Sequence, residues 1–252
     1  MKSLYADPLV VSQISECIFY HSIDLSEYGK QEGQWDLIGR FDDYINGVDL
    51  RGKRVLNVGT ASGFLTFEAE KRGASVVSFE VDSALRLQRV PFKNNLYTRD
   101  KEAWLSFANY EISAIKKSYW LSHRLLKSQA RVHYGDVYNI SEELGLFDVV
   151  IVGQLFVHLR DVISALASIT ARCRDTLIIV EGMINNEEPI ATLLPRANKP
   201  DVDYCFWHYS VGFYKEMLGI LGFRFASSNQ GVFKCNITGT QGELTTLVFQ
   251  RV

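Results

Sequence analysis

The 252-residue sequence predicts an α/β fold in which a doubly wound, mostly parallel sheet carries helices on both faces. Three observations predict it. Short β-branched runs alternate with longer stretches of helical spacing. The runs are apolar almost throughout, as strands covered on both faces must be. The first of them ends in a small-residue turn that opens directly into a helix-forming segment.

The strand runs fall at residues 54–58, 75–79, 131–134, 147–152 and 176–181. Between the first two, Phe64-Leu65-Thr66-Phe67-Glu68-Ala69-Glu70-Lys71-Arg72 is a good helix former that ends in basic residues and stops at Gly73, giving one β-turn-α-β unit. Residues 162–169 and 211–221 also have helical spacing and are expected to pack on the sheet. The stretches 223–227, 231–237 and 245–250 read as closing strands, the last two as a hairpin.

Two stretches exceed a minimal domain of this kind. Residues 1–46 precede the first strand as an N-terminal cap, and residues 47–252 make the main domain. Within it the interval 82–131 is longer than one crossover requires, so a helical insertion is expected at about 84–129. Trp104, Ala108, Ile112, Ile115 and Tyr119 recur at helical spacing and place a long helix near 100–127. That stripe serves packing, or alternatively roofs a substrate pocket.

Composition bounds the function. Apolar residues make up 47 % of the chain and charged residues 22 %, the mix of a chain that folds by itself. A formal net charge of -2 argues against nucleic acid, whose partners carry a surplus of Lys and Arg. Lys116, Lys117, Arg124 and Lys127 read as a solvated helix face rather than an RNA-binding stripe. No apolar run approaches the ~20 residues of a membrane span, and the first residues lack the apolar stretch of a signal peptide, so a cytoplasmic protein without membrane contact is expected. Cys17, Cys173, Cys205 and Cys235 stand singly, without zinc-ligand spacing, and read as reduced and mostly buried.

The chemistry-bearing pattern begins at Asn57-Val58-Gly59-Thr60-Ala61-Ser62-Gly63. Gly59 and Gly63 let backbone approach a ligand closely, and free amides at the helix start can meet a carboxylate or phosphate. About 20 residues on, Glu80 follows an apolar run and precedes Val81; a carboxylate at the tip of a second strand accepts both hydroxyls of a ribose, with Asp82 as the fallback. Gly135-Asp136-Val137 follows the third run, where an acid can receive an adenine amino group while Val137 stacks on the ring. A nicotinamide fingerprint wants glycine at the first, third and sixth positions, and from Gly59 the chain offers Ala61 and Phe64 at the last two. The acidic-x-Gly-x-Gly-x-Gly pattern of S-adenosylmethionine enzymes fits better, with Ala61 for the middle glycine and Asn57 for the acid.

Gly153-Gln154-Leu155-Phe156-Val157-His158, together with Tyr20-His21-Ser22-Ile23-Asp24-Leu25, Gly33-Gln34-Trp35-Asp36 and Leu221-Gly222-Phe223, resembles the class I S-adenosylmethionine-dependent methyltransferases, in the broad family of the tRNA wobble-uridine carboxymethyltransferase. The resemblance spans roughly residues 17 to 228. It implies a Rossmann-like sheet of seven strands and S-adenosyl-L-methionine as cofactor. It also implies that Gln34 and Trp35 fold over the cofactor's methionine end, and that Gln154 touches the cofactor. The RNA-modifying branch uses a carboxylated cofactor whose extra charge calls for basic residues, and residues 3–29 contain no Lys or Arg, so ordinary S-adenosylmethionine and a small-molecule acceptor are expected.

The cofactor-binding set expected is thus Gln34, Trp35, Asn57, Gly59, Thr60, Ala61, Gly63, Glu80, Val81, Asp136, Val137 and Gln154. If the acceptor is a hydroxyl, a base must take its proton, and His158, His21 and His208 compete for that role. Aromatic residues at 204–209, with Trp104, Tyr119 and Trp120, suggest a flat or apolar acceptor. No metal-ligand cluster is visible, so metal-independent methylation in biosynthesis is the reading, with tRNA modification or cofactor binding without methylation as alternatives. Oligomeric state is not readable.

Overall fold

Apolar runs and helix formers resolve, in the computed structural model, into one central sheet of eight strands; the structure describes residues 3–237 and 239–252, so the first two residues of the N-terminal segment lie outside it. Along the chain come β1 (Ile23–Leu25), β2 (Gly29–Gln31), β3 (Trp35–Asp36), α1 (Phe41–Tyr44), β4 (Arg54–Val58), α2 (Phe64–Lys71) and β5 (Ser75–Val81). Then follow α3 (Leu96–Arg99), α4 (Lys101–Leu125), β6 (Arg131–Gly135), β7 (Phe147–Gly153), α5 (Val162–Thr170) and β8 (Cys173–Glu181). The chain ends with β9 (Ala191–Leu193), β10 (Trp207–Tyr209), α6 (Val211–Ile220), β11 (Phe223–Cys235) and β12 (Gln241–Arg251).

The sheet runs β3-β11-β12-β8-β7-β4-β5-β6. Strands β8, β7, β4, β5 and β6 are mutually parallel, while β12, β11 and β3 add antiparallel at one edge. From β4 the chain winds outward to β5 and β6, then returns to β7 on the other side of β4. That reversal opens a crevice at the carboxyl ends of β4 and β7, where ligands of open α/β sheets bind.

Alternation along the strands feeds a core on each face. Val150 and Val152 face a layer containing Leu166, Ile169 and Leu218 of α5 and α6. Val149 and Ile151 face Phe41, Phe64 and Leu65 of α1 and α2. The long helix α4 starts at an Asp100 cap, whose side chain accepts the Ala103 N–H at 3.0 Å. Its far end packs Tyr119, Trp120 and Leu121 against Phe67 and Val132.

Three expectations need correction. The central sheet has eight strands instead of seven, because Trp35 and Asp36 pair with Cys235 and Lys234 at the edge. Residues 223–227 and 231–237 are not two strands: β11 runs unbroken through Ser228, Asn229, Gln230 and Gly231, each paired in register with β12. Tertiary pairing overrides the turn propensity of that polar stretch. Lys116 does not belong to a solvated face, since it turns into the crevice described below. No helix among the described residues is long and apolar enough to cross a membrane.

Candidate active site

The turn after β4 is held from beneath by a buried chain of polar side chains. The Asn57 amide donates to the Thr60 and Thr66 hydroxyls at 3.0 Å each; Thr66 Oγ1 lies 2.7 Å from Ser78 Oγ, which lies 2.9 Å from the Tyr119 hydroxyl. The Asn57 amide nitrogen and the Thr60 hydroxyl are therefore used inside the fold, and neither residue lines the crevice, although Asn57 Oδ1 is buried without a hydrogen-bond partner among the described residues; the expectation of both as cofactor contacts is corrected to that extent. Gly63 also sits under the surface. Its φ is +91°, and a Cβ there would come within 2.6 Å of Phe67 and 2.7 Å of Tyr119, so only glycine lets α2 start so close to α4.

Above the turn is a cavity of about 330 Å³, within the size range of small-ligand sites. It brings together Gly59, Ala61, Glu80, Val81, Asp136, Val137, Gln154 and His158. Glu80 is fixed by two backbone donors, Ala61 N–H to Oε2 and Val81 N–H to Oε1, both at 2.8 Å. Each oxygen keeps a lone pair for a further donor. Burial pushes the Glu80 carboxyl above the usual range, opposed by those two hydrogen bonds and by Lys116. Asp136 accepts Tyr138 N–H at 3.0 Å and the Arg86 guanidinium at 2.7 Å. Helix α4 lies over the cavity and lines it with Ile112, Ile115 and Lys116.

At the end of β7, Gly153 passes under the Tyr44 hydroxyl, where a Cβ would collide with it. Gln154 then takes a left-handed φ of +49°, strained for a side chain of its size, and its Nε2 is buried without a hydrogen-bond partner among the described residues. The next turn is held by Glu181 at the end of β8, whose Oε1 accepts Phe156 N–H at 2.8 Å. Burial pushes the Glu181 carboxyl up to about 8.

His158 closes this turn. Its Nδ1 stands 2.9 Å from the Tyr204 carbonyl, which can only accept, so Nδ1 carries the proton and Nε2 is left as an acceptor. Burial lowers its pKa below that of a free imidazole, which keeps it neutral. A neutral imidazole with one nitrogen anchored and the other open is poised to take a proton.

The other two histidines are elsewhere. His21 is buried behind the turn against Phe64, its backbone N–H bonded to Ser62 Oγ at 3.1 Å, and burial drives its pKa down to about 3. His208 lies in the small β9–β10 ribbon opposite Thr192. Neither lines the cavity, so the expectation of either as a base is corrected. Gln34 and Trp35 do not line it either. Trp35 is committed to the sheet edge and packs over Gly242, while its neighbour across the chain, Tyr20, reaches the cavity. Trp104, Tyr119 and Trp120 are core residues, and Tyr204 alone of that aromatic set lines the cavity.

Sequence reasoning missed Tyr20, Arg86, Arg89 and Glu181. Glu181 carried the same signal as Glu80, an acid at the tip of an apolar run. The arginines sit in the segment between β5 and α3, which has no periodicity to place them.

No family model matches the chain, and no curated protein matches it. Solved structures do. The magnesium protoporphyrin IX methyltransferase of Synechocystis PCC 6803, with bound SAM, is 13 % identical over 86 % of this chain and 78 % of that chain, at a TM-score of 0.53. An S-adenosylmethionine-dependent methyltransferase from Mesorhizobium loti is 12 % identical over 85 % of this chain and 100 % of that chain, at 0.51. The pyocyanin biosynthetic protein PhzM is 17 % identical over 84 % of this chain and 54 % of that chain, at 0.50. The chain thus has the fold of the class I S-adenosylmethionine-dependent methyltransferases. Its crevice lies where strand order reverses in that fold.

Proposed function

We propose that this protein is a metal-independent methyltransferase that uses S-adenosyl-L-methionine to methylate an oxygen of a small molecule, in a cytoplasmic biosynthetic role. One observation carries the reading: a single cavity has the doubly anchored Glu80 carboxylate on one side and the neutral His158 imidazole on another.

The residues present fit the cofactor. Glu80 would accept the ribose hydroxyls, Asp136 the adenine amino group, and Val81 and Val137 would cover the ring faces. Gly59 and Ala61 offer backbone to the methionine end. Gln154 supplies a buried amide nitrogen beside the Tyr44 hydroxyl that makes no well-formed hydrogen bond among the described residues, and such a group is costly unless a ligand completes it. When bound, the cofactor supplies a methyl group on a positively charged sulfur, so the leaving group departs neutral. The protein holds the acceptor, excludes water beneath α4, and moves the acceptor's hydroxyl proton to His158 Nε2.

A small acceptor is supported by the cavity's size, about 330 Å³, and by the partners that basic residues of α4 find within the chain. Lys117 pairs with Glu16 at 2.8 Å, Arg124 donates to the Val11 carbonyl at 3.2 Å, and Lys116 faces the cavity. The N-terminal segment and the helical insertion act as the walls that shape the pocket, through Tyr20 and α4.

A labelled-methyl screen over phenols, sugar hydroxyls, hydroxy acids, amines and tRNA tests the proposal. The expected product is a methyl ether of a small hydroxyl compound, with kcat falling about 10²–10⁴-fold in His158→Asn and cofactor affinity unchanged. Transfer to tRNA alone, or binding of cofactor with no transfer to any acceptor, would contradict it.

A further inference from the structure

Three cations line the cavity, and two of them are answered there. Arg86 bonds both Asp82 and Asp136 at 2.7 Å. Lys116 donates to the Asp82 carbonyl at 2.9 Å and is drawn to the Glu80 charge. Arg89 differs. Its guanidinium donates one hydrogen bond among the described residues, from Nη1 to the Gln88 carbonyl at 3.0 Å. Its Nε stands 3.4 Å from Asp203 Oδ1, while the other Asp203 oxygen already accepts the Asn95 amide at 2.8 Å. Burial pushes the Asp203 carboxyl up, opposed by the Arg89 charge with which it forms an ion pair.

The arginine is held in place by Asp203 and keeps donors to spare, since its Nη2 makes no hydrogen bond among the described residues. Its guanidinium carbon lies 5.5 Å from the Trp104 ring centre and 5.9 Å from that of Tyr204. Its backbone is clamped as well, since the Arg160 guanidinium donates to the Arg89 carbonyl, and Val90 N–H donates to the Asp203 carbonyl at 2.7 Å. The Tyr204 ring links this cation to the base, with the His158 ring centre 5.8 Å from it on a tilted face. An apolar cavity therefore presents a fixed guanidinium with spare donors, an aromatic face and a neutral imidazole in sequence.

We propose that Arg89 determines acceptor specificity, and that the acceptor is a hydroxylated carboxylic acid whose carboxylate is taken by Arg89 while its hydroxyl faces His158. A guanidinium offers a planar fork that matches a carboxylate bidentately. One such cation, already facing Asp203, suits a monoanion better than a doubly charged phosphate. The proposal rests on the methyltransferase reading for the hydroxyl half, and on Arg89 alone for the anion half.

The test titrates the full chain, loaded with S-adenosylhomocysteine, with 2-, 3- and 4-hydroxybenzoate and with the three matching hydroxybenzamides, which keep shape and lose charge. At least one acid is expected to bind 10- to 100-fold more tightly than its amide, the range of a charge-assisted hydrogen-bonded pair. Arg89→Gln is expected to erase that difference and leave S-adenosylhomocysteine affinity unchanged. If no acid outperforms its amide, or if the preference survives in Arg89→Gln, the proposal is overturned. Failure of the wild-type chain to bind S-adenosylhomocysteine would instead strike the methyltransferase reading, and an acid preference seen without it would leave the anion site standing.

Discussion

Ala61 donates its backbone N–H to Glu80 Oε2 at 2.8 Å while holding a left-handed φ of +47°. The turn thus gives up a relaxed backbone to aim an amide at the carboxylate of the next strand. A left-handed alanine costs about 1–2 kcal/mol relative to glycine, partly offset by glycine's greater freedom in the unfolded chain. Ala61→Gly should therefore raise stability by about 0.5–1 kcal/mol, or a Tm shift of roughly 1–4 °C by thermal denaturation. Preservation of the hydrogen bond to Glu80 should leave cofactor affinity equal or higher.

Gly153 and Tyr44 give a prediction in which one change repairs another. A Cβ at Gly153 meets the Tyr44 hydroxyl first, and the ring atoms behind it only at 3.3 and 3.4 Å. Gly153→Ala should cost about 1–3 kcal/mol, as overpacking does. Tyr44→Phe removes the colliding oxygen and should restore most of that loss in the double variant. Equal stability of the single and double variants in urea denaturation would show that the contact is not what excludes a side chain there.

Buried Glu181 makes stability depend on pH in a defined direction. Its folded pKa of about 8 lies above the unfolded value of 4.5, so the folded state holds an extra proton between those limits. The stabilisation is complete below pH 4.5 and is lost as pH rises toward 8, by about 1.4 kcal/mol per unit. His21 works the opposite way: its folded pKa of about 3 lies below the unfolded 6.5, so its contribution is complete above 6.5 and lost as pH falls toward 3. Between 4.5 and 6.5 the two slopes oppose each other. From 6.5 to 8 Glu181 acts without that opposition, and stability should fall by roughly 2 kcal/mol. Glu181→Gln should flatten this fall in denaturant titrations at pH 6.5, 7.25 and 8; an unchanged slope would contradict the assignment.

The parallel half of the sheet was readable because its strands are buried on both faces and announce themselves as apolar runs. The same clarity marked Glu80 and Asp136, acids that interrupt such runs at their ends. What escaped reading depends on packing between distant segments. Asn57 looked like a ligand contact because of its place in the turn, yet two threonine hydroxyls claim its amide nitrogen and the residue lies beneath the crevice. Trp35 looked like a lid and is an edge strand, paired with residues nearly two hundred positions away. Arg89 had no signal at all, because its importance comes from the donors left over once Asp203 and the Gln88 carbonyl are met. His158, His21 and His208 were indistinguishable as letters; only burial and the Tyr204 carbonyl separate them.

The Glu80 side of the cavity is the expected binding site of S-adenosylmethionine. Calorimetric titration of the wild-type chain and of Glu80→Gln with S-adenosylmethionine and S-adenosylhomocysteine tests it most directly. Saturable one-site binding of both by the wild type is expected, weakened about 10- to 100-fold in Glu80→Gln, where one carboxylate oxygen becomes a donor facing a backbone N–H. No binding of either compound by the wild type at millimolar concentration, or equal binding by Glu80→Gln, would contradict it.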